Sequence, residues 1–321
     1  MEVNWIQLFC YERNHKVSRR LISGVFLVLL LSGFVSPKLD EVLASYNSND
    51  YEMAFKKFEQ LALNGDADAQ AWIGQMYDKG QGVQQSEEMA IKWYKVAADQ
   101  GHAHAQFLLG YRYNYGKGLD QDYEKAARWY RKAAEQGLAQ AQFCLAAMYG
   151  LGEGVDKDYQ EAFKWHLKAA KQGYILSQSA LGTMYSKGEG VDKDYGESAK
   201  WYRKAAEQGH EDAQTFLGLA HDLGDMGVAQ DYGEAKKWYL KASEQGNALA
   251  QYFLGIMYAE GLGVEQDNVR AYSYFNVAVI NGYQQAAERR DNFEKEMTPE
   301  QIADAHVLAG RCVESNYKNC E

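Results

Sequence analysis

The chain repeats itself. Gly65, Gly101, Gly137, Gly173, Gly209, Gly246 and Gly282 stand 36 residues apart, with a single step of 37. Gln70, Gln106, Gln142, Gln178, Gln214 and Gln251 keep that spacing, and so do Trp93, Trp129, Trp165, Trp201, Trp238 and, with a substitution, Tyr274. A fixed period of this length marks an array of small supersecondary units, each burying its apolar face only against its neighbours.

Residues 102–137 show the unit. In its first half Ala103, Gln106, Leu109, Gly110 and Tyr113 fall on one face of a helix. Gly110 has counterparts in Gly74, Gly182, Gly218 and Gly255, with Ala146 in the remaining unit. A glycine inside a helix costs about 1 kcal/mol against alanine, so its retention predicts two helix axes brought close together. Gly116 and Gly118 then supply the positive φ of a reversing turn. The second half opens at Asp122, an N-cap able to accept bonds from the free amides of the first turn. Asp158/Glu161, Asp194/Glu197 and Asp231/Glu234 have the spacing of a reciprocal capping box. Ala126, Trp129, Tyr130, Ala133 and Ala134 form the apolar face, and Gln136–Gly137 closes the unit.

The pattern A-x-A-Q-x-x-L-G-x-x-Y-x-x-G-x-G-V-x-x-D-Y-x-x-A-x-x-W-Y-x-x-A-A-x-Q-G is nearly complete in 138–173 and 174–209 and resembles the Sel1-like repeat family, a relative of the tetratricopeptide arrays. The resemblance covers 66–282 as six units: 66–101, 102–137, 138–173, 174–209, 210–246 and 247–282. It implies an all-α chain, a right-handed α/α superhelical solenoid of about six helix-turn-helix repeats with capping helices at both ends. It also implies a non-catalytic scaffold or adaptor that binds a protein or peptide, with the first helices lining a concave groove.

Two prolines and 46% hydrophobic residues suit such a fold. The net charge of −10 argues against a nucleic-acid partner, which would need clustered Lys and Arg. Residues 1–36 stand outside the array. Arg13, Lys16, Arg19 and Arg20 precede an apolar run, Leu21 to Val35, that is long for a signal-peptide core and short of the ~20 residues of a membrane span. The basic flank would keep that end cytoplasmic and send the rest across. We read 1–36 as a signal peptide or N-terminal signal anchor and the protein as exported, either periplasmic or held at the inner membrane by residues 21–35. Cleavage stays open, because Pro37 follows Ser36 directly and no A-x-A site is present. The segment holds four basic and two acidic residues, so the remainder carries −12 and favours a basic or extended partner. Membrane contact is expected only through this segment, and the array is expected to act as a monomer.

Residues 37–65 read as N-terminal capping helices, with Tyr51–Leu63 in the place of a second repeat helix and Lys57 where tryptophan recurs. In the fifth unit His221 replaces the recurrent tyrosine, and the turn LGDMGVAQD has one extra residue. Residues 283–321 read as C-terminal capping helices and tail. Thr298, Pro299 and Gln301 start an amphipathic helix that should cover 267–281.

Little else carries chemistry. Cys144 occupies a place filled by Trp72, Leu108 and Phe216 and is expected to be a buried thiol. Cys312 and Cys320 are bridged if the compartment is oxidising, and free otherwise. His102 and His104 are two apart and diverge on a helix, and the pairs Asp156/Asp158 and Asp192/Asp194 fall short of a calcium loop, so no metal site or cofactor is identified. No catalytic residue is identified either. Ser315-Asn-Tyr-Lys318 matches S-x-x-K without its partner motifs. Some cysteine-rich relatives in the family are associated with penicillin binding, which makes a cell-wall-related or penicillin-binding hydrolase one alternative and a purely structural envelope protein another; this chain lacks their cysteine pair in every repeat. Partner choice is then expected from the variable stripe of the first helices. There Phe107, Tyr111, Asn114, Phe143, Thr183, Tyr252 and Ile256 are the candidate contacts, rigid aromatics among them suiting a peptide partner.

Overall fold

The computed structural model describes residues 37–225, 227–318 and 320; the expected export segment, 1–36, lies outside them. Among the described residues there are 16 helices and no strand, and no helix is long and apolar enough to cross a membrane. The chain divides into two compact units, one reaching Asp158 and the other starting at Tyr159. The first unit holds α1 (Pro37–Asn47), α2 (Tyr51–Leu63), α3 (Ala67–Lys79), α4 (Glu87–Asp99), α5 (Ala103–Tyr115), α6 (Tyr123–Glu135) and α7 (Ala139–Leu151). The second holds α8 (Tyr159–Lys171), α9 (Ile175–Lys187), α10 (Tyr195–Glu207), α11 (Glu211–Leu223), α12 (Tyr232–Ser243), α13 (Ala248–Glu260), α14 (Asn268–Ile280), α15 (Ala286–Glu296) and α16 (Pro299–Glu314).

Within each unit a first helix packs against its own second helix and against the second helix of the repeat before, as α5 does against α6 and α4, and α11 against α12 and α10. Gly116 and Gly118 take φ of 64° and 68° in the turn between α5 and α6. Asp122 then accepts from the Lys125 amide at 2.9 Å. Asp194 and Asp231 cap α10 and α12 in the same way, at 2.9 and 3.0 Å. The reciprocal half of the expected capping box does not form there. Glu197 and Glu234 turn outward to Lys200 and Lys237 at 2.6 and 3.0 Å. The amide they would have served is already occupied, since Asp194 N–H donates to the Tyr185 carbonyl and Asp231 N–H to that of His221.

The space over the mid-helix glycine is filled by a side chain from the second helix. A Cβ at Gly110 would stand 2.6 Å from the Tyr130 ring, and one at Gly182 would stand 2.7 Å from the Tyr202 ring. Both tyrosines are buried and lie flat on bare backbone.

The recurrent glutamine has a part that its spacing did not reveal. Gln106 Nε2 donates to the Ala98 carbonyl in the last turn of α4, at 3.1 Å, and its Oε1 accepts from Gln136 Nε2 at the end of α6, at 2.8 Å. The same two bonds tie Gln70 to Ala62 and Gln100. In the second unit they tie Gln178 to Ala170 and Gln208, Gln214 to Ala206 and Gln245, and Gln251 to Ser243 and Asn281. Each glutamine is buried, and its amide joins one repeat's end to the next repeat's start. An unpaired buried amide would cost about 1–3 kcal/mol.

The ends are closed differently. Phe58 of α2 stacks on Trp72 with centroids 5.4 Å apart, and Lys57, at the tryptophan place, pairs with Glu41 of α1 at 2.8 Å. At the other end Thr298 and Gln301 form a complete capping box at the start of α16. Tyr272 of α14 is buried with Met297 and Ala305. Cys312 of α16 and Cys320 are joined as a disulfide, with Cα atoms 4.4 Å apart. In the fifth repeat the His221 ring has its Nδ1 3.3 Å from the Ala229 carbonyl.

Two outcomes follow from this packing. Gly110→Ala should lower stability in urea unfolding by about 1–3 kcal/mol through overpacking against Tyr130. In a Tyr130→Ala background the same change should be neutral or stabilising by up to about 1 kcal/mol. A cost that stays the same in both backgrounds would show that the ring is not the cause. The second outcome concerns His166, which stands at the tyrosine place, is buried, and has Nδ1 3.2 Å from the Ser177 hydroxyl. Burial pushes its pKa down from 6.5 to about 3. Between those values the unfolded chain takes a proton that the folded chain refuses, so stability falls with pH by roughly 1.4 kcal/mol per unit for this group. Urea midpoints measured from pH 7 to pH 4 should therefore drop less steeply in His166→Gln than in the parent. Equal slopes would remove His166 from the account.

Candidate partner-binding surfaces

In the first unit the candidate residues lie on α5 and α7. Phe107 and Tyr111 are one turn apart on α5, both half-buried. Phe107 rests one side on Tyr130, with ring centroids 5.7 Å apart, and sits 6.0 Å from the His104 ring. Tyr111 leans on Tyr115 at 4.7 Å, and Lys117 donates to its hydroxyl at 2.9 Å with the ammonium 5.0 Å from the ring centre. Each ring is thus held by two neighbouring side chains and keeps part of its surface accessible. Asn114 follows one turn later. Its backbone carbonyl accepts from Gln121, while its side-chain oxygen is buried with no hydrogen-bond donor. Phe143 of α7 is half-buried.

The same helix carries a residue that sequence reasoning passed over. Arg112 stands where Met76, Met148, Met184 and Met257 stand in other repeats, and it is buried. Its guanidinium pairs with Asp78 of α3, donates to the Lys117 carbonyl at 3.1 Å and lies 5.9 Å from the centre of the Tyr94 ring. Burial, and then the Asp78 charge, push the Tyr94 hydroxyl well above its ordinary pKa. Breaking such a pair leaves a buried charge uncompensated. The signal was the arginine in a methionine place.

In the second unit Tyr252 and Ile256 lie one turn apart on α13, half-buried against the core of the last repeat. Tyr252 touches Phe253, Phe275 and Tyr283, with centroids 5.7, 5.7 and 5.0 Å apart. Tyr283 was not among the expected contacts. Thr183 of α9 stands two repeats earlier. Its hydroxyl is 2.9 Å from that of Tyr202 and donates to the Ser179 carbonyl at 3.3 Å, so its polar group is already engaged. Burial pushes the Tyr202 hydroxyl up to about 12.

The remaining reactive groups are bound into the fold. His102 caps α5 through Nδ1 and meets Asp68 through Nε2 at 3.0 Å, which lowers the Asp68 pKa. Among the described residues no group of three or more His, Cys, Asp or Glu could hold a metal ion. Ser315 ends α16 and donates its hydroxyl to the Cys312 carbonyl at 2.9 Å. Cys144, expected to be buried, is half-buried; Leu108 at the same place is half-buried and Phe216 exposed, so the position lies at the edge of the first helix's covered face.

The family model described as Sel1 repeat matches residues 67–102, 103–138, 139–174, 175–210, 211–247 and 248–283. A Sel1 repeat protein from Oxalobacter formigenes is 34% identical with a TM-score of 0.69, over 74% of this chain and 97% of that one. A protective antigen of uropathogenic Escherichia coli strains, displaying an SLR fold, is 28% identical over 83% of this chain and 81% of its own, with a TM-score of 0.48. The immunity protein PA5088 from Pseudomonas aeruginosa is 24% identical over 70% and 83%, with a TM-score of 0.41. No curated protein matches the chain. Sel1 repeat proteins are in general non-catalytic scaffolds that bind other proteins. Because the matched repeats span more than half of the sequence and coincide with the glycine-seated, glutamine-tied hairpins seen in the structure, the chain belongs to the Sel1 repeat family.

Proposed function

We propose that this protein is an exported scaffold or adaptor of the cell envelope that binds a protein or peptide on the first-helix faces of its repeats. The observation that carries the reading is the pair Phe107 and Tyr111, rings held by neighbouring side chains yet only half-buried. Rings already held by Tyr130 and Tyr115 lose little freedom on binding, which favours affinity. The −12 carried outside residues 1–36 favours a basic or extended partner. Localisation rests on the basic and apolar segment before Pro37.

A photoreactive residue at position 111, with a second at the exposed Lys164 as control, tests the reading in cells. One discrete adduct from position 111 alone is expected. Tyr111→Ala in the purified pair should then weaken binding by at least about tenfold, as loss of an aromatic anchor does. No adduct, or the same smear from both positions, would favour a purely structural protein.

A further inference from the structure

The second unit holds a hollow near its C-terminal end. It is open, about 730 Å³, and lies between α12, α14, α16 and the tail that follows α16. Leu240 and Tyr274 give it an apolar wall, and Glu244, Arg311, Glu314 and Lys318 stand around it. Elsewhere on the second helices charges pair one turn apart, as in Glu161–Lys164, Glu197–Lys200 and Glu234–Lys237. Among the described residues, none of the four charges at the hollow has an ion-pair partner. Two anions and two cations left unpaired around an apolar wall fit a ligand that carries both signs. The volume falls within the range of about 300–1,000 Å³ found for small-molecule sites.

We propose that this hollow binds a short peptide with free ends, its ammonium toward Glu244 and Glu314 and its carboxylate toward Arg311 and Lys318. The wall made by the tail is fastened. Cys320 is buried in the core of the last repeat and bonded to Cys312, and the Tyr317 hydroxyl donates to Asn281 at 2.7 Å. Tyr317 has φ of 67°, a left-handed conformation that a bulky residue keeps only where its surroundings impose it. With the disulfide opened, the tail loses one of the constraints that hold it there, so binding requires the bridged form. This site is independent of the first-helix surfaces.

The full chain is dialysed to equilibrium against a degenerate library of unblocked tripeptides and, separately, against the same library acetylated and amidated at its ends; retention is read by mass spectrometry. Retention of unblocked over blocked peptides by at least about tenfold is expected, the worth of a charge-assisted contact. That preference should vanish in Lys318→Glu, an exposed position whose change leaves the fold intact by circular dichroism. It should also vanish in Cys312→Ser/Cys320→Ser. Equal retention of the two libraries, or an unchanged preference in Lys318→Glu, overturns the site. An unchanged preference in the double serine variant overturns the role of the bridge.

Discussion

In the hairpin of α5 and α6 the Tyr130 ring lies where any β-carbon on residue 110 would have to be, so the helices meet at a distance set by an aromatic face on bare backbone. The arrangement is repeated at Gly74, Gly182, Gly218 and Gly255, the last under a phenylalanine ring. A helix interior tolerates this glycine only because the ring it admits removes a large apolar surface from water. In 138–173 the two places change together, with Ala146 for the glycine and His166 for the ring.

The contact that closes each hairpin leaves open how one hairpin follows another, and the glutamines supply that. Gln106 reaches back to the α4 carbonyl and is itself held by Gln136, so a buried amide finds both partners only when consecutive repeats are in register. Apolar packing alone tolerates sliding; a buried polar group that must be satisfied does not. Arg112 adds a second such constraint between α3 and α5, and it lies on the helix that carries Tyr111 and Asn114. Phe107, Tyr111 and Asn114 therefore sit on a helix tied to α4 through Gln106 and to α3 through Arg112. Rigidity of that kind suits a surface whose task is to present side chains.

Much of this was legible in advance. The period, the two helices per unit, the Gly-x-Gly turn, the aspartate caps and the Thr298 capping box all depend on residues close in sequence, and local chemistry decides them. The misreadings have one origin. The capping-box spacing of Asp194 and Glu197 was correct, yet the amide in question is taken by the Tyr185 carbonyl, a partner from the preceding helix. The glycine pattern pointed to a close approach, and only the structure shows that the atoms filling the space belong to a ring 20 positions on. Cys144 shared a place with apolar residues, but the exposure of that place depends on which neighbours stand beside it.

The candidate surfaces divide in the same way. Spacing could put Phe107, Tyr111 and Asn114 on one stripe, since helical geometry alone fixes which residues share a face. It could not show that Thr183 has its hydroxyl engaged by Tyr202, that Tyr283 joins Tyr252, or that Asn114 keeps an unpaired oxygen. By itself the sequence determined the repeat and its helices, because a short periodic code of glycine, glutamine, tyrosine and alanine leaves few other ways to bury its apolar face. Which polar groups are satisfied was decided by the tertiary structure alone, because donors and acceptors such as Thr183 and Asp194 are settled by whichever group from another helix reaches them.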